Sequence, residues 1–294
     1  MSYLDPAAIQ SAELLGLQAR SIVEGYMAGE HKSPFRGFAV EFAQHREYVT
    51  GDDLRHLDWK VLGRSDRYYI KQYQQDTNFV AHLLVDGSES MNYGSGKVTK
   101  LDYARTMAAC LAYLILLQRD AAAMAVFDSE VRSYSPRSDS LGSVNALMAK
   151  LAAIEPGKQT RIGTVLHEMA QQVKRKGIFI LISDFFDDVD EILRGIQHLR
   201  FSGSEVIVFH VLDPYELSFP FTGTVEFRGL EGTGTLTTKP AELRKSYLKA
   251  FEGFLDKLRT GCELNGCNYV RVSTAQPWRD VLSSYLATRQ HRYG

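Results

Sequence analysis

Apolar residues along this chain fall into two alternating kinds of run. The first kind is short, continuous and closed by a carboxylate. Residues 79–86 read Phe-Val-Ala-His-Leu-Leu-Val-Asp, and residues 177–184 read Gly-Ile-Phe-Ile-Leu-Ile-Ser-Asp. Such runs, apolar at odd and even positions alike, predict strands buried on both faces, as in a parallel sheet. Residues 205–212 read as a third apolar strand, 268–273 read as a further strand, and 121–127 and 130–134 read as two short strands joined by a tight turn. The second kind of run is longer. Residues 100–118 are apolar on most faces, which predicts a buried helix. Further helices are predicted over 139–153, 162–175, 188–200 and 241–260, and from about 278 onward.

Strand and helix in alternation predict an α/β fold, a doubly wound and mostly parallel sheet with helices on both faces. Residues 213–240 interrupt the pattern. They carry Pro214, Pro220 and Pro240 together with Gly223, Gly229, Gly232 and Gly234, which predicts a loop or β-hairpin insertion. Ahead of the sheet, residues 6–28 are helix-prone, with Ile9, Leu14, Leu15, Leu17, Ile22 and Val23 as apolar positions. Residues 33–78 are dense in aromatics and charges, with strand-like pieces at 38–42 and 68–73. The chain therefore divides into an N-terminal helical segment (1–32), a segment packed on the main domain (33–78), and the main domain (79–294) with its insertion at 213–240.

Composition narrows the function classes. A 45% hydrophobic and 23% charged chain is an ordinary globular one. Lys and Arg number 34 against 35 Asp and Glu, a formal net charge of -1. That balance gives no global reason to expect nucleic acid or an anionic membrane as partner. The most apolar run, 107–117, falls well short of the roughly 18–20 residues of a membrane span, so no membrane insertion is expected. Glu13, Glu24 and Glu30 break up the N-terminal region, which does not read as a signal peptide. Cys110 sits in the helical pattern over 100–118, and Cys262 and Cys267 lack His or Cys neighbours for a zinc site. A reducing cytoplasm is the expected setting.

The chemistry gathers where strands end. Ligands of doubly wound sheets bind outside the carboxyl ends of the strands. Two strands here end in Asp86 and Asp184, and the first continues as Asp86-Gly87-Ser88-Glu89-Ser90. Thr160 adds a hydroxyl from a loop ahead of a helix. Carboxylates and hydroxyls are hard donors suited to Mg2+ or Mn2+. The competing reading of Asp86, Ser88 and Ser90 is a strand end turning into a capped helix, where Ser and Asp are also favoured.

These residues carry a resemblance. Asp86-x-Ser88-x-Ser90, Thr160-Arg161-Ile162-Gly163-Thr164-Val165-Leu166 and Ile182-Ser183-Asp184 resemble the metal-ion-dependent adhesion site of von Willebrand factor A domains. Upstream, Glu41-Phe42-x-x-x-Arg46-Glu47-Tyr48-x-x-Gly51-Asp52-Asp53-x-Arg55-x-Leu57-Asp58-Trp59-Lys60, followed by Arg64 and Lys71, resembles the signature of the "domain of unknown function 58" family. Ser90-Met91 and Lys100-Leu101-Asp102-Tyr103-Ala104-Arg105 fit the same family. The resemblance spans roughly residues 35–212. It implies direct metal binding by Ser88 and Ser90, with Asp86, Thr160 and Asp184 binding directly or through water. It further implies a non-enzymatic adaptor that partners a MoxR-type AAA+ ATPase in the assembly or activation of other proteins. Glu89 departs from the small residue commoner between the two serines.

Two other function classes remain open. Strand-end aspartates also build Mg2+-dependent phosphohydrolases, although Gly87-Ser88 follows Asp86 where an Asp-x-Asp nucleophile motif needs a second carboxylate. A structural A domain with an empty metal site is the third reading. Gly94-Ser95-Gly96-Lys97 is no phosphate-binding loop, because Met91 and Val98 stand where the pattern needs Gly and Ser or Thr. Arg46, Asp52, Asp53, Arg55, Asp58, Arg64 and Lys71 are expected to clasp the N-terminal segment to the main domain. His82 and His210, on buried strands, are expected core residues.

Overall fold

The computed structural model of the chain describes residues 6–27, 40–49, 58, 61, 63, 68–75, 80–157, 159–173, 176–229 and 234–293. Its centre is a six-stranded sheet. In chain order the strands are β3 (Val80–Asp86), β4 (Ala121–Phe127), β5 (Val131–Ser138), β6 (Ile178–Ser183), β7 (Glu205–Leu212) and β10 (Asn268–Ser273). Across the sheet they run β10-β7-β6-β3-β4-β5, with every neighbour parallel except the edge pair β4 and β5. This is the doubly wound, mostly parallel sheet that the apolar runs predict. The two central strands, β3 and β6, are buried along their whole length.

Side chains alternate across a strand, so each central strand feeds two cores. Leu83, Val85, Ile180 and Ile182 pack with α2 (Lys100–Leu117), α3 (Val144–Ala152) and α8 (Trp278–Tyr293). Leu84, Phe179 and Leu181 pack on the other face with α4 (Ile162–Gln172), α5 (Val189–Phe201) and α7 (Pro240–Leu264). Gly163 lets α4 lie against α5, since a Cβ there would sit 2.8 Å from the carbonyl oxygen of Glu191. That close approach fixes where α4 begins, just after Thr160. α2 starts on a capping box in which the Thr99 side chain and Asp102 exchange bonds with each other's backbone amides.

The N-terminal helix α1 (Pro6–Met27) joins the first core rather than standing beside it. Leu15, Ala19 and Val23, four residues apart and so on one face, are buried among the residues of that core. β1 (Val40–Glu47) and β2 (Tyr69–Gln75) form a separate antiparallel pair that overlaps the expected strand pieces. Asp58 is buried, and its amide donates to the carbonyl of Tyr69 at 2.8 Å. Of the residues expected to clasp the N-terminal segment to the main domain, the side chains of Arg46, Asp52, Asp53, Arg55, Arg64 and Lys71 lie outside the described residues.

The insertion resolves into a short helix α6 (Pro214–Ser218) and an antiparallel hairpin of β8 (Val225–Arg228) and β9 (Thr235–Thr238). The helix expected at 139–153 opens instead as a 3-10 turn over Leu141–Ser143, because β5 runs on to Ser138 and the Ser140 side chain accepts from the Gly142 amide. Among the described residues, no helix is long and apolar enough to cross a membrane.

Candidate metal centre

β3 and β6 are parallel neighbours in register at Val85 and Ile182, so their carboxyl ends emerge side by side. Asp86 closes β3. Its Oδ1 accepts the Ser88 amide at 2.9 Å and its Oδ2 accepts the Ser183 hydroxyl at 2.5 Å. The hydroxyl oxygens of Ser88 and Ser90 lie 3.1 Å apart. Asp86, Ser88, Ser90, Thr160 and Asp184 are all buried, whereas Glu89 between the serines is exposed.

Main-chain bonds tie the contributing loops together. Gly87 donates to the Phe127 carbonyl at 2.8 Å, and Gly157 donates to the Gly87 carbonyl at 2.7 Å. The Ile162 amide donates to Asp187 Oδ2 at 2.8 Å, joining the start of α4 to the loop after β6. Gly87 is needed for this closeness: a Cβ there would sit 3.0 Å from Ile154 Cγ2 and 3.3 Å from Val126 Cγ1.

Thr160 stands out in this set. Its hydroxyl is buried and has no hydrogen-bond partner among the described residues. A buried hydroxyl without a partner is costly, so such an atom marks a place where a ligand fits. The donor set of Asp86, Ser88, Ser90 and Thr160 is all oxygen, the chemistry that a small divalent cation takes. Among the described residues, no three His, Cys, Asp or Glu cluster to hold a metal ion. A set built from hydroxyls as much as carboxylates needs no such cluster.

Asp184 has company that the sequence reading does not anticipate. The Lys100 ammonium, buried at the start of α2, donates to Asp184 Oδ2 at 2.7 Å and to Glu216 Oε1 at 2.6 Å. It also lies 4.7 Å from the centre of the Phe186 ring. Asp184 Oδ1 accepts the Phe186 amide at 3.3 Å. A carboxylate offers about four lone-pair sites, so Asp184 remains a donor but shares its charge with Lys100.

Electrostatics follow from this arrangement. Burial pushes the Asp86 carboxyl up to about 7; the nearby charge of Asp184 adds to the rise, and bonds from Ser183 and Ser88 oppose it. Burial pulls the Lys100 ammonium down, but the carboxylates of Asp184 and Glu216 outweigh it and hold the ammonium above its ordinary value. Burial raises Glu216, with Lys100 opposing. Two carboxylates, Asp184 and Glu216, meet the one Lys100 ammonium.

Lys100, Ser183 and Glu216 are the residues that sequence reasoning missed. Lys100 opens the Lys100–Arg105 stretch quoted above, where it is given no role of its own. Glu216, the third residue of α6, closes the capping box that Asp213 opens. Asp213 also accepts the Ser95 amide at 2.8 Å, so the 94–97 loop meets a carboxylate where a phosphate loop would meet an anion. His82 and His210 are buried as expected. His82 stacks on Phe179 with ring centres 4.7 Å apart, and His210 Nδ1 meets the Tyr269 hydroxyl at 2.7 Å.

Known proteins resemble this chain along most of its length. Uncharacterized protein Rv1480 of Mycobacterium tuberculosis is 24% identical, over 97% of this chain and 91% of the relative. Among solved structures, conserved hypothetical protein BatB from Bacteroides thetaiotaomicron is 19% identical and covers 73% of this chain and 100% of its own, with a TM-score of 0.48. The SpRpn10 VWA domain is 13% identical and covers 70% of this chain and 94% of its own, with a TM-score of 0.41. The family model described as "Protein of unknown function DUF58" matches residues 44–253, well over half of the sequence, and the chain belongs to that family.

Proposed function

We propose that the protein is a non-enzymatic, metal-dependent interaction adaptor that works with a MoxR-type AAA+ ATPase in assembling or activating other proteins. The observation that carries the reading is the buried, unpartnered Thr160 hydroxyl, on a loop bonded through Gly157 to the Asp86–Ser90 turn. Mg2+ or Mn2+ bound there would supply a coordination position able to accept a carboxylate from a partner. The chain's own residues do the rest. Ser183 and the Ser88 amide orient the Asp86 carboxylate. Lys100 holds Asp184 in place and keeps Glu216 turned toward the centre. The ATPase partner rests on the family resemblance. A cytoplasmic setting belongs to the same reading, in keeping with Cys110, Cys262 and Cys267 as buried free thiols.

The test is affinity capture from native extract with Mg2+ or a chelator, using wild type, Ser88→Ala and Asp184→Ala. The expected result is an AAA+ ATPase retained only by wild type with Mg2+, and no turnover of generic phosphate esters. Undiminished capture in chelator by all three proteins would sink metal-mediated binding. Absence of any AAA+ ATPase would sink the partner.

A further inference from the structure

An aromatic-walled cavity of about 760 Å³ opens beside the candidate metal centre. Its floor reaches Ser90 and Lys100. Its walls include Phe186 from the loop after β6, Phe219, Phe221 and Phe227 from the insertion, and Tyr247 from α7. The rings hold one another. Phe219 stacks on Tyr247 and on Phe227 with centres 4.4 and 5.6 Å apart, and Phe221 meets Phe219 and Phe227 edge-on at 5.1 and 5.2 Å.

Backbone strain is stored at the same place. Phe219 has φ 45° and Phe185, directly after Asp184, has φ 55°. L-residues without a special reason avoid this region, and such strain clusters at binding sites. A cavity of several hundred Å³ walled by aromatic rings, with Ser90, Lys100, Glu216 and the mutually paired Glu226 and Arg228 as its polar lining, has the build of a ligand site. Its size exceeds one side chain and suits a short peptide. The Lys100 charge is already matched by Asp184 and Glu216. An incoming carboxylate would therefore turn to the metal ion rather than to Lys100.

We infer that this cavity reads the sequence of the bound partner. The occupant is a peptide segment with an Asp or Glu side chain directed at the ion and a large apolar side chain next to it. The apolar side chain packs between Phe227, Phe219 and Tyr247. Because Phe219, Phe221 and Phe227 all lie in 213–240, the insertion sets which segment is accepted. The inference rests on the metal-dependent reading above and adds a specificity determinant to it.

The probes are fluorescein-labelled heptapeptides, Gly-Ala-Xaa-Glu-Ala-Ala-Gly with Xaa as Phe or Ala, and the Phe peptide with Gln in place of Glu. They are titrated against the full chain in Mg2+ or in chelator, and Mg2+ binding is measured separately by calorimetry. The Phe–Glu peptide is expected to bind at least about tenfold more tightly than Ala–Glu, the usual worth of one apolar side chain in a pocket. Chelator and the Gln swap should each abolish that binding. Phe227→Ala and Phe221→Ser should erase the Phe preference and leave Mg2+ binding unchanged, with circular dichroism confirming the fold. Equal binding of Phe–Glu and Ala–Glu, both lost in chelator, would overturn the pocket and leave the metal reading standing. Phe–Glu binding that persists in chelator would overturn the carboxylate anchor. No binding of any peptide, with Mg2+ bound by calorimetry, would overturn the inference outright. Absence of Mg2+ binding would overturn the metal reading and the inference together.

Discussion

The ammonium of Lys100 lies 2.7 Å from Asp184 Oδ2 with both groups sealed from solvent. Breaking a buried pair by deleting one partner leaves an uncompensated charge, at a cost of about 3–5 kcal/mol. Lys100→Met is therefore expected to lower stability by that order in metal-free buffer, measured by urea unfolding. The loss of a positive charge beside the carboxylates should also make its melting temperature rise more with Mg2+ than that of wild type. A variant as stable as wild type without metal would contradict this account of the pair.

Asp86→Ala should abolish Mg2+ and Mn2+ binding in calorimetry, since it removes the carboxylate that the Ser183 hydroxyl and Ser88 amide orient. Equal binding by variant and wild type would dismiss the site.

Thr160→Val separates a ligand from a structural hydroxyl. Among the described residues the hydroxyl has no partner to lose, so removing it should leave metal-free stability unchanged or raised by up to ~1 kcal/mol. The same change should weaken Mg2+ binding. Unchanged metal affinity would take Thr160 out of the donor set.

His82 gives the acid limb of stability. Burial lowers its pKa from 6.5 to about 4. Between those values the unfolded chain binds a proton that the native state does not, so stability falls as pH drops from 6.5 towards 4. The full loss is about 3 kcal/mol. His82→Phe keeps the stacking on Phe179 and removes the titration. Its stability relative to wild type should therefore climb steadily as the pH is lowered through that window. A difference that stays constant with pH would show that His82 does not titrate differently on folding.

Thr99→Ala removes the side chain that accepts the Asp102 amide at the head of α2. A cap of this kind is worth ~1 kcal/mol. Because α2 carries Lys100 in its first turn, chemical denaturation should show that loss together with a modest drop in Mg2+ affinity. Full stability in the variant would mean the cap is redundant with the packing of α2.

Much of the fold was legible in the sequence because β3 and β6 are short, almost wholly apolar runs (His82 is the one polar residue inside them), the pattern of strands in a doubly covered sheet. The Asp86–Ser90 turn was legible for the same reason, as polar residues following a buried strand. The docking of α1 was not, since Leu15, Ala19 and Val23 mark an apolar face without naming what covers it. Lys100 and Glu216 escaped notice because their pairing joins residues 116 apart, and spacing along the chain carries no trace of it. The aromatics of 213–240 sit among prolines and glycines, where periodicity gives no direction to a side chain.

The hydrogen bond from Ser183 to Asp86 spans 97 residues, and the contacts of Lys100 with Asp184 and Glu216 span 84 and 116. No local segment can assemble this centre, because each half waits for the other to arrive through two helical crossovers. The centre is thus a property of the completed tertiary fold and of no segment alone. An ion that recognises only the finished centre would report that maturation is complete and hold the chain in that state.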